Sequence, residues 1–199
     1  MKKSKGYKIW EKALKVIPDG NMLLSKRPDI FLPYGWPTYF NKAYGYKICD
    51  LNNQIYSDFS YMGVGTNILG YANKQIDNHV INKIRNGSIS TLNSREDLIL
   101  AEKLLEINSW AQMVKFTRTG GEAASVAIRI ARAVSQKSKV IVCGYHGWHD
   151  WYLASNLADT NGLDGHLLPG LSPNGVPQNL KGTVHPFEYN DYDTLESLV

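Results

Sequence analysis

Between Met113 and Cys143 the chain changes its hydrophobic period twice, and this alternation constrains the fold more than any other feature. Met113-Val114-Lys115-Phe116-Thr117 reads as a buried strand. Glu122 to Val134 carries apolar residues at helical spacing, and Val140-Ile141-Val142-Cys143 is a second short apolar run. Strand, helix and strand in this order predict a β-α-β unit with parallel strands and a right-handed crossover, and hence an α/β protein. The joint Arg118-Thr119-Gly120-Gly121 then falls at the carboxyl edge of the sheet, where α/β proteins bind ligands.

The flanking segments extend this pattern. Ile9, Trp10, Ala13, Leu14 and Ile17 predict a leading helix over 7–17, stopped by Pro18-Asp19-Gly20. The stretch with Pro28, Pro33, Gly35 and Pro37 is too punctuated for regular structure and reads as a linker or substrate-facing loop. From Tyr39 to Phe59 the pattern is strand-like, with a hairpin formed by 46–49 and 55–59 across Asp50-Leu51-Asn52-Asn53. Ile76, Val80 and Ile84 mark a helix that Asn73 caps and Gly87 ends, and a second helix over 95–107 turns Leu98, Ala101, Leu104 and Leu105 to one side. Residues 156–181, rich in Gly, Asn and Pro, form a long excursion of the kind that serves as a lid. A strand over 183–187, a turn at Asn190-Asp191 and a helix from about Asp193 complete the chain. A sheet of so few strands leaves apolar surface uncovered, so the 199 residues are expected to be a fragment of a longer protein.

Chemistry concentrates at two places. In Thr119-Gly120-Gly121-Glu122-Ala123-Ala124, free backbone N–H groups and the positive end of a helix converge, which suits a phosphate. The alternative is a tight turn that binds nothing. Neither G-x-x-x-x-G-K-[ST] nor G-x-G-x-x-G is present, so a nucleotide-phosphate module is a weaker reading. The second strand ends in Gly144-Tyr145-His146-Gly147-Trp148-His149-Asp150-Trp151, which brings an aromatic ring and an imidazole to the same sheet edge. Tyr145 is placed to lie against a planar ring, whereas Trp148 and Trp151 read as core aromatics. His146, His149 and Asp150 match no specific metal spacing and read as hydrogen-bonded structural residues. The net charge of +4 comes largely from Lys2, Lys3, Lys5, Lys8, Lys12 and Lys15, a solvated helix face rather than a nucleic-acid patch. Cys49 and Cys143 lie in apolar runs and cannot build a disulfide framework, and no apolar run reaches bilayer length. A cytoplasmic protein without membrane or nucleic-acid partners is expected.

The T-G-G-E-A-A turn followed one helix and one strand later by G-Y-H-G-W-H-D resembles the class-III aminotransferases, particularly the glutamate-1-semialdehyde aminomutase branch. Upstream, Asp50 to Phe59 is similar to the family's D-x-D-G-x-x-Y-I-D segment, and Asn67-Ile68-Leu69-Gly70-Tyr71 to its I-L-G-H stretch. The resemblance implies a fold-type-I transferase dependent on pyridoxal 5'-phosphate (PLP), with 1–65 in the small domain and 66–199 as the first part of the large parallel-sheet domain. It implies that Thr119, Gly120 and Gly121 hold the cofactor phosphate, that Tyr145 stacks on the pyridine ring, and that His146 sits beside it. Where the family usually has S-G-T or S-G-S, this chain has Gly121 and lacks the second hydroxyl. The Schiff-base lysine lies further downstream in the family, and the only Lys after Tyr145 is Lys181. The implied activity is amino-group transfer on a small amino substrate by a homodimer, which these residues alone do not complete. The alternative is a non-catalytic truncated paralogue acting as a cofactor-binding or interaction module.

Overall fold

The computed structural model describes residues 4–158, 162–163 and 171–199. It divides into two compact units, Met1–Ser94 and Arg95–Val199.

The first unit opens with α1 (Lys5–Ala13), whose N-cap Ser4 accepts from the Tyr7 amide at 3.2 Å and whose Trp10 and Ala13 are buried. It is shorter than the period suggested: Leu14 to Ile17 close into turns, and the Pro18–Gly20 segment is a single 3-10 turn. The punctuated stretch does contain regular structure, the short helix α2 (Pro28–Phe31). Pro28 occupies its first position, where a missing N–H costs nothing. Arg27 braces this corner with ion pairs to Asp19 at 3.1 Å and Asp29 at 2.6 Å. Three strands follow, β1 (Phe40–Tyr44), β2 (Lys47–Asp50) and β3 (Ile55–Ser57), in one antiparallel sheet of order β1-β2-β3. The expected hairpin is β2-β3. Its turn is held by the Asp50 carboxylate, which accepts from the amides of Asn52 at 2.8 Å and Gln54 at 2.9 Å. The unit ends with α3 (Lys74–Arg85), capped by Asn73 as its sequence predicts.

The second unit contains α4 (Arg95–Ile107), α5 (Gly120–Ser135), β4 (Val140–Val142), the short α6 (Asp150–Leu153), β5 (Val184–Pro186) and α7 (Tyr192–Leu198). β4 and β5 pair in parallel, with Val140 opposite Val184 and Val142 opposite Pro186. Parallel pairing is thus present, but between the second and third expected strands. The segment 113–117 is not a strand among the described residues. A strand exists only through a neighbour's backbone, and Met113 there is 90% exposed. Ala124 and Ile128 of α5 pack on a core of Val142, Trp151, Tyr152, Leu163, Leu171 and Val184.

Two described parts of the excursion after α6 are tied to Asn156. Asn156, 1% exposed, donates from Nδ2 to the Leu171 carbonyl at 2.6 Å and accepts from the Leu163 amide at 3.1 Å. These contacts fasten the described parts of the excursion to the core; 159–161 and 164–170 lie outside the described residues. Among the described residues no helix is long and apolar enough to cross a membrane.

Candidate functional site

Thr119 takes an extended backbone conformation (φ −136°, ψ 159°) and caps α5, its hydroxyl accepting from the Glu122 amide at 3.2 Å. Glu122 in turn accepts from the Arg118 amide at 2.8 Å, so the helix start is closed from both sides. The Ala123 amide makes the first helical bond, to the Thr119 carbonyl at 3.0 Å. Of the amides in this first turn, those of Gly120 and Gly121 have no partner among the described residues. A Cβ built on Gly120 would meet nothing within 4 Å, so a ligand can approach the backbone directly. The two free donors and the helix dipole together favour a small anion.

The second element is the loop from Cys143 to His149. Gly147 is held at φ +102°, and a Cβ there would stand 3.1 Å from Gly121 Cα. Only glycine permits both the conformation and the approach, and by that approach the loop is laid against the first turn of α5. His146 donates from Nε2 to the Cys143 carbonyl at 3.0 Å, which fixes its ring; that ring lies 5.9 Å from Tyr152 and nearly perpendicular to it. Tyr152 is fully buried and donates to the Gly144 carbonyl at 3.1 Å. Burial pushes its phenol up to about 12, so it stays a donor at neutral pH. Tyr145 meets Trp148 and Tyr152 edge-on at 6.0 and 5.9 Å, and keeps 38% of its surface exposed, enough to meet a flat ring.

The residues singled out by sequence thus fall on two adjacent elements, but the contact between those elements is made by Gly147 and His149. His149 Nδ1 lies 2.5 Å from Ser125 Oγ, to which Trp151 Nε1 donates at 3.1 Å. Trp151 is a core residue as expected. Trp148 is not: it is 51% exposed and meets Tyr145 edge-on, following the left-handed Gly147 that sets the loop against α5. A cleft lined by Ser125, Ile128, Arg129, Arg132 and Trp151 runs along α5 and does not include Tyr145. Lys181 is exposed at the end of a 3-10 turn. Among the described residues no group of three or more His, Cys, Asp or Glu is arranged for a metal.

A sequence model of the family described as Aminotransferase class-III matches residues 35–172. The 3-aminobutyryl-CoA aminotransferase of Cloacimonas acidaminovorans is 31% identical over 200 residues, covering 100% of this chain and 44% of that protein. The glutamate-1-semialdehyde 2,1-aminomutase of Methanosphaera stadtmanae is 30% identical, again over 100% of this chain and 44% of the relative. Among solved structures, the PLP internal aldimine form of the FumI protein from Sphingopyxis sp. MTA144 superposes with a TM-score of 0.78 at 26% identity, over 98% of this chain and 42% of that one. The chain therefore spans less than half the length of these relatives.

Proposed function

This chain belongs to the class-III aminotransferase family, and from that membership we propose that it forms part of the cofactor cradle of an enzyme that transfers an amino group with PLP. The observation that carries the proposal is the pair of amides at Gly120 and Gly121 that have no partner among the described residues, beside the loop that presents Tyr145. The residues present fit the cofactor: open space over Gly120 accommodates a phosphate, and the half-exposed Tyr145 offers surface to a pyridine ring. The relatives' names, one an aminotransferase and one an aminomutase, and the PLP-containing solved neighbour support the same chemistry.

In this reading Thr119, Gly120 and Gly121 hold the phosphate, Tyr145 packs on the ring and His146 stands beside it. Bound there, PLP supplies an electron sink for moving an amino group. The chain's own part is to fix position. α5 anchors the phosphate through backbone donors, and the hydrogen bonds of Tyr152 to Gly144 and His146 to Cys143 keep the loop from yielding. We assign 1–65 to a small-domain segment and 66–199 to the first part of the large domain of a cytoplasmic homodimer acting on a small amino compound.

A titration of the complete protein with PLP, followed by absorbance, tests the cradle. Gly120→Val should abolish the cofactor signal because its side chain fills the open flank of the helix start. Amino transfer is expected from the complete protein and not from residues 1–199 alone, in which the one lysine after Tyr145, Lys181, is a solvent-exposed residue at the end of a 3-10 turn. A complete protein that never acquires cofactor absorbance would refute the proposal.

A further inference from the structure

The space beside Gly121 is not empty. A Cβ built there would lie 3.2 Å from His149 Nε2, so the imidazole occupies the place where a side chain at 121 would begin. The neighbouring groups decide which nitrogen carries the proton. An indole N–H only donates, so the Trp151 contact uses a lone pair of Ser125 Oγ. For the serine's own proton, His149 Nδ1 is the acceptor present among the described residues. The relay runs one way, from Trp151 to Ser125 to His149, and leaves the ring proton on Nε2, the nitrogen at Gly121. That Nε2 has no other partner among the described residues.

We infer that His149 is a further cofactor-binding residue whose Nε2–H donates to the phosphate held by Gly120 and Gly121, with Ser125 and Trp151 as positioning residues. This rests on the cofactor reading above. It assigns a side-chain donor to the position where the related S-G-T and S-G-S turns carry a hydroxyl and this chain carries Gly121. The sequence distance between His149 and Ser125, 24 residues, is bridged by the close approach of Gly147 to the helix start.

The test measures binding rather than turnover, on the complete protein stripped of cofactor. PLP and phosphate-free pyridoxal are titrated in parallel, and phosphorus NMR reports on the bound phosphate. His149→Phe should weaken PLP by roughly 10- to 100-fold, as expected for loss of a hydrogen bond to a charged group. Pyridoxal affinity should stay unchanged, and the phosphate resonance should move. His149→Gln, which keeps an N–H donor at similar reach, should recover most of the affinity. Gly121→Ser should weaken PLP in the native background, where its Cβ meets the imidazole, and strengthen it in a His149→Ala background, where its hydroxyl replaces the lost donor. Equal weakening of PLP and pyridoxal, or an unmoved phosphate resonance in folded His149→Phe, overturns the inference. If the unsubstituted protein itself fails to bind PLP, the cofactor reading fails first. Normal binding by the unsubstituted protein and by His149→Phe alike removes the role of His149 alone.

Discussion

Gly147 carries two constraints at once, a left-handed backbone at φ +102° and a missing Cβ 3.1 Å from Gly121 Cα. Gly147→Ala should therefore lower stability by about 1–3 kcal/mol from backbone strain alone, and should also push His149 off the helix start. A urea-unfolding midpoint measures the first effect and a PLP titration the second; an unchanged midpoint would mean that the loop is not pinned there. A second prediction concerns Tyr71 and Asp58, bonded at 2.6 Å in the first unit. Burial, aided by the Asp58 carboxylate, pushes the Tyr71 phenol up to about 12. Burial would raise Asp58, but hydrogen bonds from Ser60 and Tyr71 outweigh it and hold the carboxyl below its usual range. The raised group stabilises the fold below the ordinary tyrosine value of 10.0, and this contribution is lost as pH rises from there to about 12. The lowered group stabilises above 3.8, and its contribution is lost as pH falls from there through the lower value of the folded carboxyl. Tyrosinate absorbance should show a late-titrating component, shared with the buried Tyr152, that Tyr71→Phe reduces but does not abolish. At this scale the helix start at Thr119, Gly120 and Gly121 was legible because a capping threonine before a helix is a local pattern, even though the strand expected before it is absent among the described residues. The contact of His149 with Ser125 depends on a fold that joins distant residues, and no local spacing announces it.

Elements were legible where their ends carry their own instructions. α4 has the bounds that the apolar period predicts, and α3 begins at its Asn73 cap. The segment 113–117 failed for the opposite reason: alternation and β-branching make a strand possible, but only a hydrogen-bonded neighbour makes one. Two predictions belong here. Thr119→Ala removes the side-chain acceptor for the Glu122 amide and should cost about 0.5–2 kcal/mol, whereas Thr119→Ser should cost little. Thermal unfolding of the two variants separates them, and equal loss would point to the methyl group rather than the hydroxyl. Asn156→Leu leaves the Leu163 amide and the Leu171 carbonyl without their partner in a buried position. Roughly 1–3 kcal/mol per orphaned group is expected. Hydrogen exchange should rise at Leu163, and unchanged protection there would show that the excursion is held by packing alone.

At the scale of the molecule, the helix faces that should be covered are open. Ile76, Val80 and Ile84 lie along α3, Leu98 on α4, and Ile130 and Val134 one turn apart on α5, all of them exposed. Apolar residues at this spacing evolve to be packed, and monomers rarely leave contiguous faces of this kind in water. The burial that does occur is concentrated around Val142, Tyr152 and Val184, which explains how the second unit keeps its site geometry while its outer helices stay bare. Residues 1–199 prepared alone should therefore sediment above the 22.4 kDa of a monomer at micromolar concentration. The double substitution Ile130→Glu and Val134→Glu should shift the distribution toward monomer. Because both side chains already meet solvent, the change should leave the unfolding free energy within about 0.5 kcal/mol. Analytical ultracentrifugation across a concentration series, with urea unfolding on the same samples, checks both halves. A monodisperse monomer would show that water alone tolerates these faces; a large loss of stability in the double variant would show that α5 is packed along this edge.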